Sequence, residues 1–262
     1  MTRPPKAIRE RAARAPQVTE PVRHDGRRPS AARPLKIQRG VLPHAEGSAL
    51  ITMGRTKVIC SATVEERVPG WLRGQKRGWV TAEYGMLPRA TGERTPRTSQ
   101  TGGRAQEIQR LIGRSLRTIT DLTSFGERTI VLDCDVLEAD GGTRTASING
   151  ALVALHDAFV TLSNRNHLTA APLRECVAAI SVGVVDGTPC LDLDYAEDSK
   201  AHVDMNVVMT SGGRYVEVQG TGENATFSDA ELKQLLRLAR AGIRRVLGAQ
   251  RRLLAGSGLL PG

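Results

Sequence analysis

A glycine-rich turn between a strand and a helix is the strongest candidate for anion binding in this sequence. It reads Gly141-Gly142-Thr143-Arg144-Thr145 and follows the alternating stretch RTIVLDCDVLEA. Glycines let backbone N–H groups approach a ligand closely, and the start of a helix carries partial positive charge. The threonine hydroxyls and the planar guanidinium of Arg144 add donors that match phosphate oxygens. An ordinary tight turn capped by a threonine explains the same residues equally well, and the lysine of a Walker A loop is missing.

A second pair of glycines opens the helical stretch before this turn. Gly102-Gly103-Arg104 precedes EIQRLIGRSLRTI, whose apolar residues recur at helical spacing. Two helix starts that both present glycine backbone and an arginine are less expected by chance than one. If the two starts converge, they define a pocket for a single phosphate group.

Six acidic residues and one lysine lie between residues 186 and 206. In the stretch PCLDLDYAED, the alternation of Asp192 and Asp194 predicts that both lie on one face of a strand. Asp198 follows that strand, and Asp204 lies just beyond it. Carboxylates at the end of a strand can hold Mg²⁺, which needs only one or two protein ligands besides substrate phosphates. The alternative is a solvated acidic sheet edge, which deters unwanted strand pairing.

Elsewhere the chain is strongly basic, with a net charge of +10. Residues 1–40 hold 11 basic residues against three acids, and residues 67–117 hold another 11 against three. This distribution indicates a polyanionic partner, although solubility alone also accounts for the first zone. Aromatic residues make up only 3% of the chain, so a nucleic acid would be held through its phosphates rather than by base stacking.

The 262 residues are enough for one large domain or two small ones with a sizeable core. No apolar stretch approaches the roughly 20 residues that a membrane span needs, and the N-terminus lacks the apolar region of a secretory signal. The four cysteines are far apart in sequence, which favours free buried thiols in a reducing compartment over a zinc site. They are Cys60, Cys134, Cys176 and Cys190.

The order of elements predicts a mixed α/β domain. Residues 1–22 are expected to form a flexible basic extension. Two strands follow, joined at Met53-Gly54-Arg55, and the stretch from Pro69 to Arg104 is expected to be a long functional loop because it has few apolar anchors.

After the loop, the sequence predicts two helices that flank a strand, and then two hairpins and a last helix. The second helix, SINGALVALHDAFVTLS, is apolar nearly all round and should be central. The hairpins turn at Asp186-Gly187 and Ser211-Gly212-Gly213, and a capping box from Ser228 to Glu231 opens the last helix.

Seven stretches occur in one order from Arg23 to the last helix, and together they resemble the ribonuclease PH family of phosphate-dependent 3′→5′ exoribonucleases. The series is specific because of its order, whereas no single piece would be. The stretches are RHDGRRP, HAEGSALITMGRTKVICSATVEE, GWVTAEYGMLPRAT, GGRAQEIQRLIGRSLR, LDCDVLEADGGTRTASI, EDSKAHVDMNVVMT and VEVQGTGE.

The resemblance implies roles for particular residues. It implies that phosphate is bound by four residues at the two helix starts, namely Arg104, Gly142, Thr143 and Arg144. Asp198 and Asp204 correspond to the catalytic acids of the family, which bind a divalent cation such as Mg²⁺ and assist proton transfer. Arg89, Arg94 and Arg97 correspond to positions that contact RNA outside the pocket.

The resemblance also implies an α/β fold of mixed α+β type, with βαβ units of left-handed crossover. It implies a homo-oligomer, a hexameric ring built as a trimer of dimers. The lack of a membrane span and of a secretory signal predicts a location in the cytoplasm. The expected domains are the basic extension 1–22, a catalytic domain 23–250 and a tail 251–262. The extension is longer than is usual for the family, so it is either an RNA-binding arm or disordered.

The function predicted on this basis is phosphorolysis. Inorganic phosphate is the co-substrate, nucleoside 5′-diphosphates are released, and the substrates are 3′ ends of tRNA precursors, with rRNA as a further candidate. One alternative is a non-catalytic RNA-binding ring subunit of an exosome-like assembly, which would be expected to lack the pocket residues. Another is a hydrolytic metal-dependent exonuclease, which would not need two arginines around a phosphate.

Overall fold

The computed structural model describes residues 23–97, 102–222, 226–256 and 258–259. The basic extension expected at residues 1–22 lies outside the described residues. None of the helices within the described ranges is both long and apolar enough to cross a lipid bilayer.

The first half of the chain forms a five-stranded sheet in the order β1-β2-β3-β5-β4. All neighbouring strands are antiparallel except β4 and β5, which run parallel. The predicted turn between the second and third strands is confirmed, and Gly54 adopts a left-handed φ of 60° there. The strands are β1 (Leu35–Arg39), β2 (Gly47–Met53), β3 (Thr56–Glu65), β4 (Trp79–Met86) and β5 (Thr129–Glu138).

Strand β4 corrects the expectation of one irregular loop from Pro69 to Arg104. Val80, Ala82 and Tyr84 are buried at alternate positions, while the residues between them are polar or small. A strand with so few apolar residues gives a weak sequence signal. Its burial comes instead from the parallel pairing with β5 and from the helix that packs on it, and both of these are distant in sequence.

Two helices pack on this sheet. Helix α1 (Gly103–Ile119) lies along β4 and buries its apolar stripe. Helix α2 (Thr143–Asn164) packs against β2 and β3 on one side and the second sheet on the other, and it is buried along most of its length, as predicted. Gly150 of α2 lies so close to β3 that a Cβ there would be 2.8 Å from the Sγ of Cys60. All four cysteines are buried and free.

The second half of the chain forms a four-stranded antiparallel sheet in the order β7-β6-β8-β9. The pairs Gly183–Asp204 and Ser181–Asn206 lie opposite each other in register, so Ser181, Asp204 and Asn206 share one face. That face looks toward α1 and α2. The strands are β6 (Val177–Val185), β7 (Thr188–Leu191), β8 (Val203–Thr210) and β9 (Tyr215–Gly222).

The acidic stretch after β7 differs from the sequence expectation. β7 ends at Leu191, Asp192 has a left-handed φ of 55°, and Asp194 caps a short helix, α3 (Tyr195–Asp198). Asp192 and Asp194 therefore do not share a strand face. The alternating pattern was misleading because aspartate side chains also hydrogen-bond to nearby backbone groups, which favours turns and caps over strands.

The last helix, α4 (Asp229–Leu254), covers the other face of the second sheet. Its Gly242 lies against Ile180 and Leu191, which are on the face of the second sheet opposite to Ser181. The predicted capping box is present, with Ser228 and Glu231 bonded to each other's backbone. The helix continues past residue 250, where a tail was expected to begin, because Leu254 packs with Ala49 and Val153.

The molecule is therefore built in four successive layers: the first sheet, helices α1 and α2, the second sheet, and helix α4. The mixed α+β class predicted from the sequence is confirmed. This arrangement brings the starts of α1 and α2 to the same face of the second sheet as Asp204 of β8.

Candidate active site

A cavity of about 770 Å³ lies where the starts of α1 and α2 meet the second sheet. The sequence predicted a pocket if the two glycine-opened helix starts converge. Both starts do contribute to the wall of this cavity. Six residues singled out from the sequence line it together, namely Arg104, Gly142, Thr143, Arg144, Asp198 and Asp204.

The turn before α2 needs its glycines. Gly141 and Gly142 have φ values of 72° and 66°, in the left-handed region that side chains disfavour. A Cβ on Gly141 would also lie 2.7 Å from the backbone of Leu193 and Asp194. The turn is therefore pressed directly against the segment that leads into α3, which bears Asp198.

Arg144 is held in place from the second sheet. Its Nη1 donates to the Oε1 of Gln219 at 2.7 Å and lies 3.4 Å from the Oε1 of Glu107. Gln219 donates to the same oxygen of Glu107 at 2.7 Å. The side chain of Arg144 is only 13% exposed. Because these contacts use a single terminal nitrogen, the rest of the guanidinium fork can serve a ligand in the cavity.

Tyr84 is a site residue that the sequence reasoning missed. Its hydroxyl donates to the Oγ1 of Thr143 at 2.8 Å, from an inward position of β4. Burial raises the pKa of Tyr84, which therefore stays protonated and keeps donating at neutral pH. Because this bond orients the Thr143 hydroxyl, Tyr84 supports the first turn of α2 from behind the cavity wall.

Asp198 and Asp204 reach the cavity from different elements. Asp198 is the last residue of α3 and donates its backbone N–H to the carbonyl of Asp194 at 2.8 Å, while Asp204 is the second residue of β8. Two carboxylates in a cavity that also holds two arginines suit Mg²⁺, which takes one or two protein carboxylates and completes its shell with water and substrate oxygens. The donor set therefore fits the predicted cation.

A different acidic group has ligand atoms close together, but it forms an ion-pair cluster. His24, Asp194 and Glu197 offer donor atoms within 4.8 Å of one another. Arg23 binds the carboxylate of Glu197 through two nitrogens, and Arg27 lies 3.3 Å from it. These guanidinium groups already neutralise the acids, so the cluster does not need a metal ion.

The three arginines predicted to contact RNA lie beside the cavity. Arg89, Arg94 and Arg97 are exposed on the segment that follows β4. Their neighbours Thr91 and Thr95 line the cavity, whereas the arginines themselves are not on its wall.

Comparison with known proteins follows the same division into two halves. Residues 31–161 match the model of domain 1 of the 3′ exoribonuclease family, and residues 175–242 match the model of domain 2. A relative from Solibacter usitatus (strain Ellin6076), described as ribonuclease PH, is 56% identical over 238 residues, which cover 90% of this chain and 100% of the relative. The chain belongs to the ribonuclease PH family.

Solved structures share the ribonuclease PH fold at lower identity. The crystal structure of rice (Oryza sativa) Rrp46 matches with a TM-score of 0.72 at 23% identity, covering 88% of this chain and 100% of that one. An archaeal exosome core matches with a TM-score of 0.72 at 20% identity, covering 88% and 91%. The Archaeoglobus fulgidus exosome with RNA bound to the active site matches with a TM-score of 0.71 at 20% identity, covering 87% and 92%.

Membership of the ribonuclease PH family confirms the prediction that the chain is a phosphorolytic 3′→5′ exoribonuclease. The roles of the individual cavity residues stay predictions, since the comparisons concern the chain as a whole.

A buried ion pair that no sequence pattern predicts joins the two walls of the cavity. The guanidinium of Arg33 donates to the Oδ1 of Asp192 at 2.7 Å and also to the carbonyls of Asp140 and Gly141. Asp192 accepts a second bond, from the backbone N–H of Arg33, at 2.8 Å. Arg33 thus ties the glycine turn at Gly141 and Gly142 to the segment that leads to Asp198.

We expect Arg33→Ala to lower the free energy of unfolding by about 3–5 kcal/mol, because it leaves the buried Asp192 carboxylate without its partner. Urea unfolding provides the measurement. The double variant Arg33→Ala/Asp192→Asn should recover part of the loss, since it removes the unpaired charge.

Arg165→Ala serves as the control, since Arg165 is half-exposed and should change stability by no more than about 0.5 kcal/mol. A cost for Arg33→Ala no larger than that of Arg165→Ala would show that the buried pair does not hold the cavity walls together.

Proposed function

We propose that the cavity between α1, α2 and the second sheet is the phosphorolytic centre. The single observation that supports this is the meeting of two arginine-bearing helix starts with two carboxylates in one cavity. Arg104 and Arg144 would hold inorganic phosphate through charge-assisted hydrogen bonds. Gly142 and Thr143 would add backbone N–H groups and a hydroxyl at the positive end of α2.

In this proposal the held phosphate attacks the terminal phosphodiester of RNA in line with the departing 3′ oxygen. The arginines neutralise its charge and fix its orientation, which removes most of the entropic cost of a reaction between two substrates. Asp204 delivers a proton to the 3′ oxygen of the shortened RNA. The released product is a nucleoside 5′-diphosphate.

Asp198 and Asp204 would hold the divalent cation. When bound, Mg²⁺ supplies charge stabilisation to the transferring phosphoryl group. Asp198 would be positioned for this by α3, whose start is closed by the reciprocal Asp194–Glu197 capping box.

The RNA upstream of the reacting nucleotide would pass over Arg89, Arg94 and Arg97. All three are exposed beside the cavity and belong to the basic zone 67–117. We further propose that the substrates are tRNA precursors, with rRNA as a second class, and that the protein works in the cytoplasm as a hexameric ring of three dimers. The family resemblance supports each of these finer points.

The products distinguish phosphorolysis from its alternatives. A labelled RNA with a free 3′-hydroxyl should be shortened only when phosphate and Mg²⁺ are both present, and each step should release a nucleoside 5′-diphosphate. With excess nucleoside diphosphates and little phosphate, the RNA should be lengthened, because the bond formed resembles the bond broken. Chelation of the cation should stop both directions.

The other candidates predict different products. A hydrolase would release monophosphates in phosphate-free buffer and could not extend RNA, and a non-catalytic ring subunit would do neither. Monophosphates formed without phosphate would therefore overturn the proposal.

Replacing Arg144 with alanine should raise the KM for phosphate by roughly 10- to 150-fold, since one charged hydrogen-bonded contact is worth about 1.5–3 kcal/mol. Steady-state kinetics at varied phosphate provides the measurement. Arg114→Ala is the matched control, because Arg114 also pairs with a glutamate, Glu217, but is 56% exposed outside the cavity wall. An unchanged phosphate KM in folded Arg144→Ala protein would remove Arg144 from the phosphate site.

Asp204→Asn should lower turnover by at least about 100-fold, because the amide neither carries the negative charge nor delivers a proton. RNA affinity, measured by filter binding, should survive, since the backbone contacts are elsewhere. Asp186→Asn, in the turn between β6 and β7, should leave both quantities unchanged. If RNA affinity of Asp204→Asn falls in parallel with turnover, the residue has a structural role instead.

A further inference from the structure

The outermost layer of the molecule carries a line of cations along helix α4. Five basic residues follow one another at intervals of four, three, four and seven residues, which places them on one side of the helix. From the first to the last, the line runs about 27 Å at a rise of about 1.5 Å per residue. These residues, called here the α4 basic face, are Lys233, Arg237, Arg240, Arg244 and Arg251.

The charges of the α4 basic face are not neutralised by the fold. After Glu231 the helix contains no acidic residue, and no ion pair among the described residues involves any of the five cations. Arg240 lies over the ring of Tyr215 at 5.5 Å and donates to its hydroxyl, and Arg237 donates to a backbone carbonyl of its own helix. Neither contact cancels the positive charge.

This arrangement is not explained by the stability of the helix. Like charges three or four residues apart on one side of a helix repel each other and destabilise it. Four of the five side chains are exposed, and Arg240 is half-buried beside Tyr215. In the free protein, dissolved salt screens the repulsion among these five cations. A polyanion that binds along the α4 basic face would release its own condensed counterions, which favours tight binding.

The location of the face defines what can reach it. α4 covers the side of the second sheet opposite to the cavity, as the contacts of Gly242 with Ile180 and Leu191 show. Under the proposed function, we expect a short single strand with its 3′ end in the cavity to extend no further than Arg89, Arg94 and Arg97. A folded RNA extends further and has a double-helical body with a regular line of phosphates.

We propose that the α4 basic face binds the phosphate backbone of the double-helical body of an RNA substrate while the 3′ end of that RNA occupies the cavity. The contact is electrostatic and independent of sequence, because it has phosphate-matching cations and few groups for reading bases. It favours structured RNAs with short single-stranded 3′ tails over unstructured RNA.

The test compares two substrates in one protein. The variant Arg237→Gln/Arg244→Gln is assayed on a hairpin RNA with a single-stranded 3′ tail and on a short oligonucleotide of the same tail sequence. For the hairpin we expect about tenfold weaker affinity, and the slope of log affinity against log salt should be less negative by about 1 to 2. For the short oligonucleotide, kcat and KM should be unchanged.

Lys57→Gln/Arg165→Gln is the control of equal charge, since both side chains are exposed and lie away from α4, on β3 and just after the end of α2. It should leave hairpin affinity within about twofold of the parent protein. Light scattering of each variant reports the assembly state.

Four results would overturn the proposal. They are unchanged hairpin affinity and salt slope, an equal loss in the control variant, a parallel loss on the short oligonucleotide, and a changed assembly state. The last would mean that the face binds a second copy of the chain rather than RNA. If the parent protein degraded neither substrate with phosphate, the proposed function would fail instead, which is distinguishable because hairpin binding is measured separately.

Discussion

The contact between Arg33 and Asp192 joins the two segments that bring the glycine turn and Asp198 to the cavity. Both side chains are buried, and together they join three segments: the strand entry near Arg33, the turn at Asp140-Gly141, and the backbone that leads to α3. A buried ion pair costs desolvation energy, which is offset only when its hydrogen bonds are nearly complete. Four hydrogen bonds offset that cost at Arg33 and Asp192, while the Nε of Arg33 has no hydrogen-bond partner among the described residues.

Helix α2 extends through the centre of the molecule. Because it is buried between the two sheets, its start cannot move without disturbing both cores. Electrostatic catalysis depends on donors that are already in position before the substrate arrives. The buried apolar length of α2 therefore fixes the position of the polar turn at Gly142 and Thr143 in the cavity wall. From the first sheet, the hydroxyl of Tyr84 also fixes this turn by its hydrogen bond to Thr143.

Local signals were read correctly from the sequence, and signals that depend on distant partners were not. The glycine turn, the capping box at Ser228 and the buried character of α2 depend on residues within a few positions of one another, so their patterns are visible. Strand β4 was missed because its burial depends on β5 and α1. Asp192 and Asp194 were placed on one strand face because alternation alone does not show that Arg33, 159 residues away in the chain, captures Asp192.

The ion pairs around α3 join parts of the chain that are far apart in sequence. Arg23 and Glu197 are 174 residues apart, and Arg33 and Asp192 are 159 apart. Contacts of such long sequence separation form late and slow down folding. During synthesis, all five strands of the first sheet are made before Asp192 and Glu197, so Arg33 and Arg23 at first lack their ion-pair partners. The glycine turn at Gly141 and Gly142 also precedes β7 and α3 in the chain, and the cavity is complete only after those later segments have packed against the turn.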